Sequence, residues 1–129
     1  MSTTRMSVAE YNALPGKTKT RSGDTPETAL KKVCVAYLKL QGWISYPWFQ
    51  QGMVPKNVRG MPDRVALKKG RHVWIEFKDP KLRTRPNGGL RPDQVERIQE
   101  LRDAGAEVLV VYALEDLYVL GDERQMVMR

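Results

Sequence analysis

The chain has 129 residues, 41% of them hydrophobic, and one cysteine. That supports one small core and excludes both an intramolecular disulfide and a zinc cluster built on cysteines. A formal charge of +7 and a pI near 9.7 favour a polyanionic partner. No apolar run approaches the roughly 20 residues needed to span a bilayer, and the first residues lack the apolar core of a signal peptide. An intracellular protein without a membrane partner is expected.

Residues 1–23 mix Ser, Thr, Lys and Arg with little periodicity and are expected to form a partly flexible basic arm. One domain should then occupy residues 24–121, with a tail at 122–129. Its first helix opens at Asp24-Thr25-Pro26-Glu27, where Asp or Thr can cap and Pro suits the first turn. Leu30, Val33, Cys34, Tyr37 and Leu38 recur at helical spacing and form its core stripe, with Cys34 a small core residue. A strand follows over 43–49, anchored by Trp43, Trp48 and Phe49, and an exposed Trp48 beside Tyr46 suits base stacking or a dimer contact. Residues 50–59 read as a loop.

Two strand-like runs follow, 64–68 and 71–77, separated by Lys69-Gly70, a pair suited to a two-residue hairpin turn. In that register Lys68 pairs with Arg71, and counting outward puts Asp63 opposite Glu76. Opposed carboxylates, with Cβ atoms roughly 5 Å apart, repel unless positive charge lies between them, and a divalent cation answers that need. Lys78 shares their face because strand side chains alternate with period two. His72 and Trp74 share it too, but a single His without a partner is more often structural, and Trp74 more often packs under a helix.

Residues 79–91 are rich in Pro, Gly and Arg and read as a flexible loop. A second helix is expected over 92–104, with Val95, Ile98 and Leu101 inward and Gly105 ending it. The apolar run 108–111 reads as a central strand covered on both faces, and 113–120 as a closing helix. The strand-helix-strand unit implies a parallel crossover, giving an α/β mixed sheet flanked by helices.

Gly60, Pro62-Asp63 and Glu76-Phe77-Lys78, with the later Arg91-Pro92-Asp93-Gln94 and Ala104-Gly105, resemble the PD-(D/E)XK nuclease superfamily in its stand-alone, phage-type VRR-NUC form. The resemblance spans residues 27–120 and implies a restriction-endonuclease-like core and an Mg²⁺- or Mn²⁺-dependent DNA endonuclease. It implies catalytic roles for Asp63, Glu76, Lys78 and Gln94, and metal ligation by Asp63, Glu76, the Phe77 carbonyl and Glu27. Taken alone, Glu27 reads equally as a capping box with Asp24, and Gln94 as a solvent-facing helix residue. Relatives that act on branched DNA make a Holliday junction cut by a homodimer the preferred substrate reading. Flap, single-stranded or nonspecific duplex cleavage is the alternative, as is a DNA-binding subunit with a vestigial or partner-dependent site.

The basic residues flank the site. Lys56 and Arg59 precede Asp63, while Lys81, Arg83, Arg85 and Arg91 follow Lys78. Such a rim suits a phosphate backbone, the bland alternative being a solvated basic surface. Nothing resembles a helix-turn-helix or zinc finger, so DNA shape rather than base sequence is the expected object of recognition.

Overall fold

The computed structural model describes residues 24–48 and 58–121. The expected arm and tail, Phe49 and Lys56 lie outside the described residues. Helix α1, Pro26–Leu40, starts at Thr25, whose side chain accepts from Thr28 N–H at 3.0 Å, with Pro26 in the first turn. Asp24 is paired with Lys32 at 2.9 Å instead of capping the helix. The proposed capping box of Asp24 with Glu27 is therefore not formed.

Four strands make one sheet in the order β1 (Ile44–Pro47), β2 (Arg64–Lys68), β3 (Arg71–Phe77), β4 (Glu107–Val111). The pairs β1–β2 and β2–β3 are antiparallel and β3–β4 is parallel. Lys68 lies opposite Arg71, as the two-residue turn requires, and both turn residues have positive φ, Lys69 at 50° and Gly70 at 83°. That pattern matches the right-handed twist of a tight hairpin.

Strand alternation divides the sheet into two unlike faces. Ala66, Val73, Ile75, Phe77 and Val111 lie on one and pack with Val33, Cys34, Tyr37 and Leu38 of α1 and with Leu114, Leu117 and Leu120 of a closing 3-10 helix, Leu114–Gly121. Burial pushes the Cys34 thiol up to about 12, with Asp116 and Glu115 adding to the rise, as befits an inert core residue. Helix α2, Pro92–Asp103, covers the β4 side of the other face. Ile98 is buried there, while Val95 and Leu101 are only partly covered. The β1 side of that face leaves Ile44, Tyr46 and Trp48 exposed.

Two expectations are corrected. Strand β4 is an edge strand of the described sheet, and its apolar run reflects helices on both faces rather than a central position. The 79–91 segment is not a featureless loop. It contains a 3-10 turn, Pro80–Leu82, capped by the Asp79 side chain on Lys81 N–H, and a second tight turn, Pro86–Gly89, in which Asn87 and Gly88 have positive φ. Long-range bonds fix it: Arg83 pairs with Asp116 at 2.6 Å, and the Tyr112 hydroxyl donates to the Gly88 carbonyl at 2.6 Å. No helix among the described residues is long and apolar enough to cross a membrane.

Candidate active site

The register that pairs Arg64 with Ile75 and Pro47 with Arg64 continues one step outward. It sets Trp48, Asp63 and Glu76 in one row across three strands, on the face opposite the α1 core. Trp48 N–H donates to the Asp63 carbonyl at 2.8 Å, and Phe77 N–H donates to Asp63 Oδ2 at 2.9 Å. The residue after β1 thus fixes the backbone of Asp63, and the end of β3 fixes its carboxylate.

Glu76, Lys78 and Gln94 are the buried polar residues of the described structure. Gln94 Nε2 donates to Glu76 Oε2 at 2.9 Å, and Lys78 Nζ stands 3.8 Å from the same oxygen. At its other end Gln94 Oε1 accepts from Arg91 N–H at 3.0 Å. One side chain therefore satisfies an orphan donor at the start of α2 and holds the Glu76 carboxylate. Burial pushes Glu76 up to about 8, with Asp63 adding to the rise and Lys78 opposing it. Asp63 Oδ1 and Glu76 Oε1 accept no hydrogen bond from the described residues.

Two hard oxygens without donors, in a site whose negative charge is only partly offset, suit a divalent oxygen-seeking cation. The set is small. Among the described residues no three His, Cys, Asp or Glu side chains group closely enough to hold a metal ion. Glu27 raises Glu76 through space but does not join Asp63 and Glu76 as a third carboxylate in such a cluster.

The approach to the α2 N-terminus depends on Gly60, at φ +79°. A Cβ there would lie 2.2 Å from the Asp93 carbonyl oxygen, so the loop and helix pack backbone to backbone. Beside them opens a cavity of about 460 Å³, lined by Trp48, Arg59, Asp63, Arg91, Asp93 and the Gly60-Met61-Pro62 turn. Arg59, Lys81, Arg83, Arg85 and Arg91 are all exposed. Arg83 is also spoken for, since it pairs with Asp116 and lies over the Tyr112 ring at 4.8 Å. His72 is exposed, and the half-buried Trp74 packs edge-on against Trp48, with ring centroids 5.1 Å apart.

Sequence reasoning passed over Arg64. Its Nη2 donates to the Ser45 carbonyl and Oγ at 3.1 Å, while its buried Nε has no partner. It braces β1 against β2 on the face opposite Asp63. A charged residue beside the apolar run Val65-Ala66-Leu67 was the available signal.

No family model matches the sequence, and no curated protein matches it. Among solved structures, a VRR_NUC domain aligns at 24% identity and a TM-score of 0.58, over 75% of this chain and 95% of that one. The chain has the VRR_NUC fold. That architecture is restriction-endonuclease-like, a mixed four-stranded sheet with flanking helices. A second structure, the Holliday junction resolvase Hjc of Archaeoglobus fulgidus, aligns at 22% identity and a TM-score of 0.46, over 67% of each chain. In the VRR_NUC fold of this chain, Asp63, Glu76, Lys78 and Gln94 meet at the end of the hairpin where α2 begins.

Proposed function

We propose that the chain is a metal-dependent DNA endonuclease that hydrolyses phosphodiester bonds, with branched DNA such as a Holliday junction as its preferred substrate. The observation that carries this reading is the buried Glu76, held between Gln94 and Lys78 beside Asp63. Asp63 and Glu76 would hold Mg²⁺ or Mn²⁺ with the Phe77 carbonyl, and Glu27 would act from farther out through water. The bound cation would neutralise charge on the phosphoryl group and lower the barrier to attack by water.

The protein's own groups do the positioning. Gln94 holds the Glu76 carboxylate in one orientation, and Phe77 N–H does the same for Asp63. Lys78 is buried and has its ammonium beside Glu76, where a fixed positive charge stabilises the developing pentacovalent phosphorane. Arg59 and Arg91 line the cavity beside Asp63, and the exposed Lys81 and Arg85 follow Lys78 in the chain; all four suit a phosphate backbone. Each phosphate so neutralised adds about 0.9 to the log-log salt slope on duplex DNA. We read the active form as a homodimer, whose two-fold axis would present two sites to a nearly symmetric junction. The exposed Ile44 and Tyr46 of β1 supply apolar surface for that pairing.

The test incubates the protein with labelled four-way junction, flap, duplex and single-stranded DNA in Mg²⁺ or Mn²⁺, against EDTA. Cutting is expected only with metal, with paired nicks at the junction, and Asp63→Ala is expected to lower the rate about 10²- to 10³-fold. A folded protein that binds these DNAs and cuts none would instead be a DNA-binding subunit with a vestigial or partner-dependent site.

A further inference from the structure

The row Trp48, Asp63, Glu76 has one member that the hydrolytic chemistry does not use. Trp48 is 41% exposed, unusual for a large aromatic side chain, and it lines the cavity that Asp63 also lines. Its backbone is pinned by the N–H bond to the Asp63 carbonyl at 2.8 Å, and its ring is braced by Trp74 in an edge-on contact at 5.1 Å and 75°. The ring is therefore an oriented surface at the mouth of the site. Arg59 and Arg91 line the same cavity; Arg91 is paired with Asp93 at 3.2 Å on the exposed rim.

We propose that this cavity receives an unstacked nucleobase, with Trp48 as its stacking platform, so that the substrate is DNA in which a nucleotide beside the bond to be cut is unpaired or readily leaves its pair. This rests on the reading of the Asp63 site as one that acts on DNA. Adjacent strands lie about 5 Å apart, so a base on Trp48 sits one strand from Asp63 and two from Glu76. A base on Trp48 thus has its own phosphate within reach of the two carboxylates, while the guanidinium groups of Arg59 and Arg91 face the sugar-phosphate backbone. A base inside a duplex is stacked on both faces and cannot occupy the cavity without leaving the helix, whereas a branch point, flap or single strand supplies one at little cost. Selectivity for such DNA then needs no reading of base identity, because every base has a π-face.

The experiment measures binding in EDTA, so that it does not depend on cutting. Equilibrium affinities are compared for a fully paired duplex and for the same duplex carrying one unpaired nucleotide, with wild type, Trp48→Phe and Trp48→Leu. Trp48→Leu keeps apolar packing against Trp74 but has no π-face, and thermal melting checks that each variant is folded. Trp48→Leu is expected to reduce the preference for the unpaired nucleotide about 5- to 150-fold, the range of base–aromatic stacking, and Trp48→Phe to keep most of it. With 2-aminopurine at the unpaired position, wild type should quench its fluorescence and Trp48→Leu should not. Equal loss on both DNAs, an unchanged preference, or quenching that survives Trp48→Leu would each overturn the proposal. Should the wild type show this preference yet cut nothing in Mg²⁺ or Mn²⁺, the nuclease reading fails and the stacking site stands.

Discussion

Glu76→Gln is expected to abolish DNA hydrolysis and, at the same time, to make the metal-free protein more stable at alkaline pH. The activity loss follows from removing an oxygen donor of the proposed metal site, and a drop of about 10²- to 10³-fold is the usual scale for losing one electrostatic stabiliser in a buried site. The stability gain follows from burial. In the folded protein the Glu76 carboxyl is pushed from its ordinary value of 4.5 to about 8, chiefly by loss of solvent and then by Asp63. Between those values the folded state binds a proton that the unfolded state has released, so the stabilisation present below about 4.5 is lost as the pH rises through about 8. The ceiling on that loss is about 5 kcal/mol, and relaxation around the ion reduces it. Glu76→Gln removes the titration while a side-chain amide remains to meet Gln94.

Melting temperatures of the two proteins in EDTA, followed from acid to alkaline pH, check this. The difference should open in favour of the variant as pH rises, and millimolar Mn²⁺ should close it for the wild type alone. Parallel profiles would show that Glu76 ionises freely in the folded protein. Cleavage that persists in Glu76→Gln would remove Glu76 from the chemistry.

Gly60→Ala is the second large effect. The position has φ +79°, where a side chain costs about 1–2 kcal/mol. The new methyl would also meet the Asp93 carbonyl oxygen at 2.2 Å and its carbon at 2.7 Å, and neither backbone atom has a rotamer by which to withdraw. Overpacking of this kind adds about 1–3 kcal/mol. Relief requires the first turn of α2 to shift, and that turn carries Gln94 to Glu76. A destabilisation of about 2–5 kcal/mol in urea unfolding is expected, together with loss of cleavage in whatever fraction stays folded. A change within about 0.5 kcal/mol would mean that the loop and helix separate easily.

The hairpin was legible because two local rules agree: a two-residue turn fixes register, and alternation fixes the face. Asp63, Glu76 and Lys78 could accordingly be brought together on paper. Gln94 could be singled out only through a motif, since its two bonds run to partners in different elements, Arg91 in its own helix turn and Glu76 in β3. The ordering of the 79–91 segment was hidden for the same reason. Its Pro, Gly and Arg content describes the segment alone, whereas Tyr112 and Asp116, which hold it, lie beyond α2. Strand β4 was misplaced because an apolar run records what covers its faces and says nothing of what pairs with its edges. The Gly60 requirement was invisible too, because the obstacle is a helix terminus distant in sequence.

Asp63 and Glu76 meet in a hairpin closed by two residues, so little chain entropy opposes their encounter. Isolated hairpins form in about 1–10 μs, whereas the parallel β3–β4 pairing has to wait until the chain through α2 has been laid down. The two carboxylates are therefore expected to come together before Gln94 arrives to hold one of them. Their repulsion then weighs on the ascent to the folding transition state, so raising the pH should slow refolding more than it speeds unfolding in stopped-flow measurements. An alkaline effect confined to the unfolding rate would instead place their encounter after that barrier.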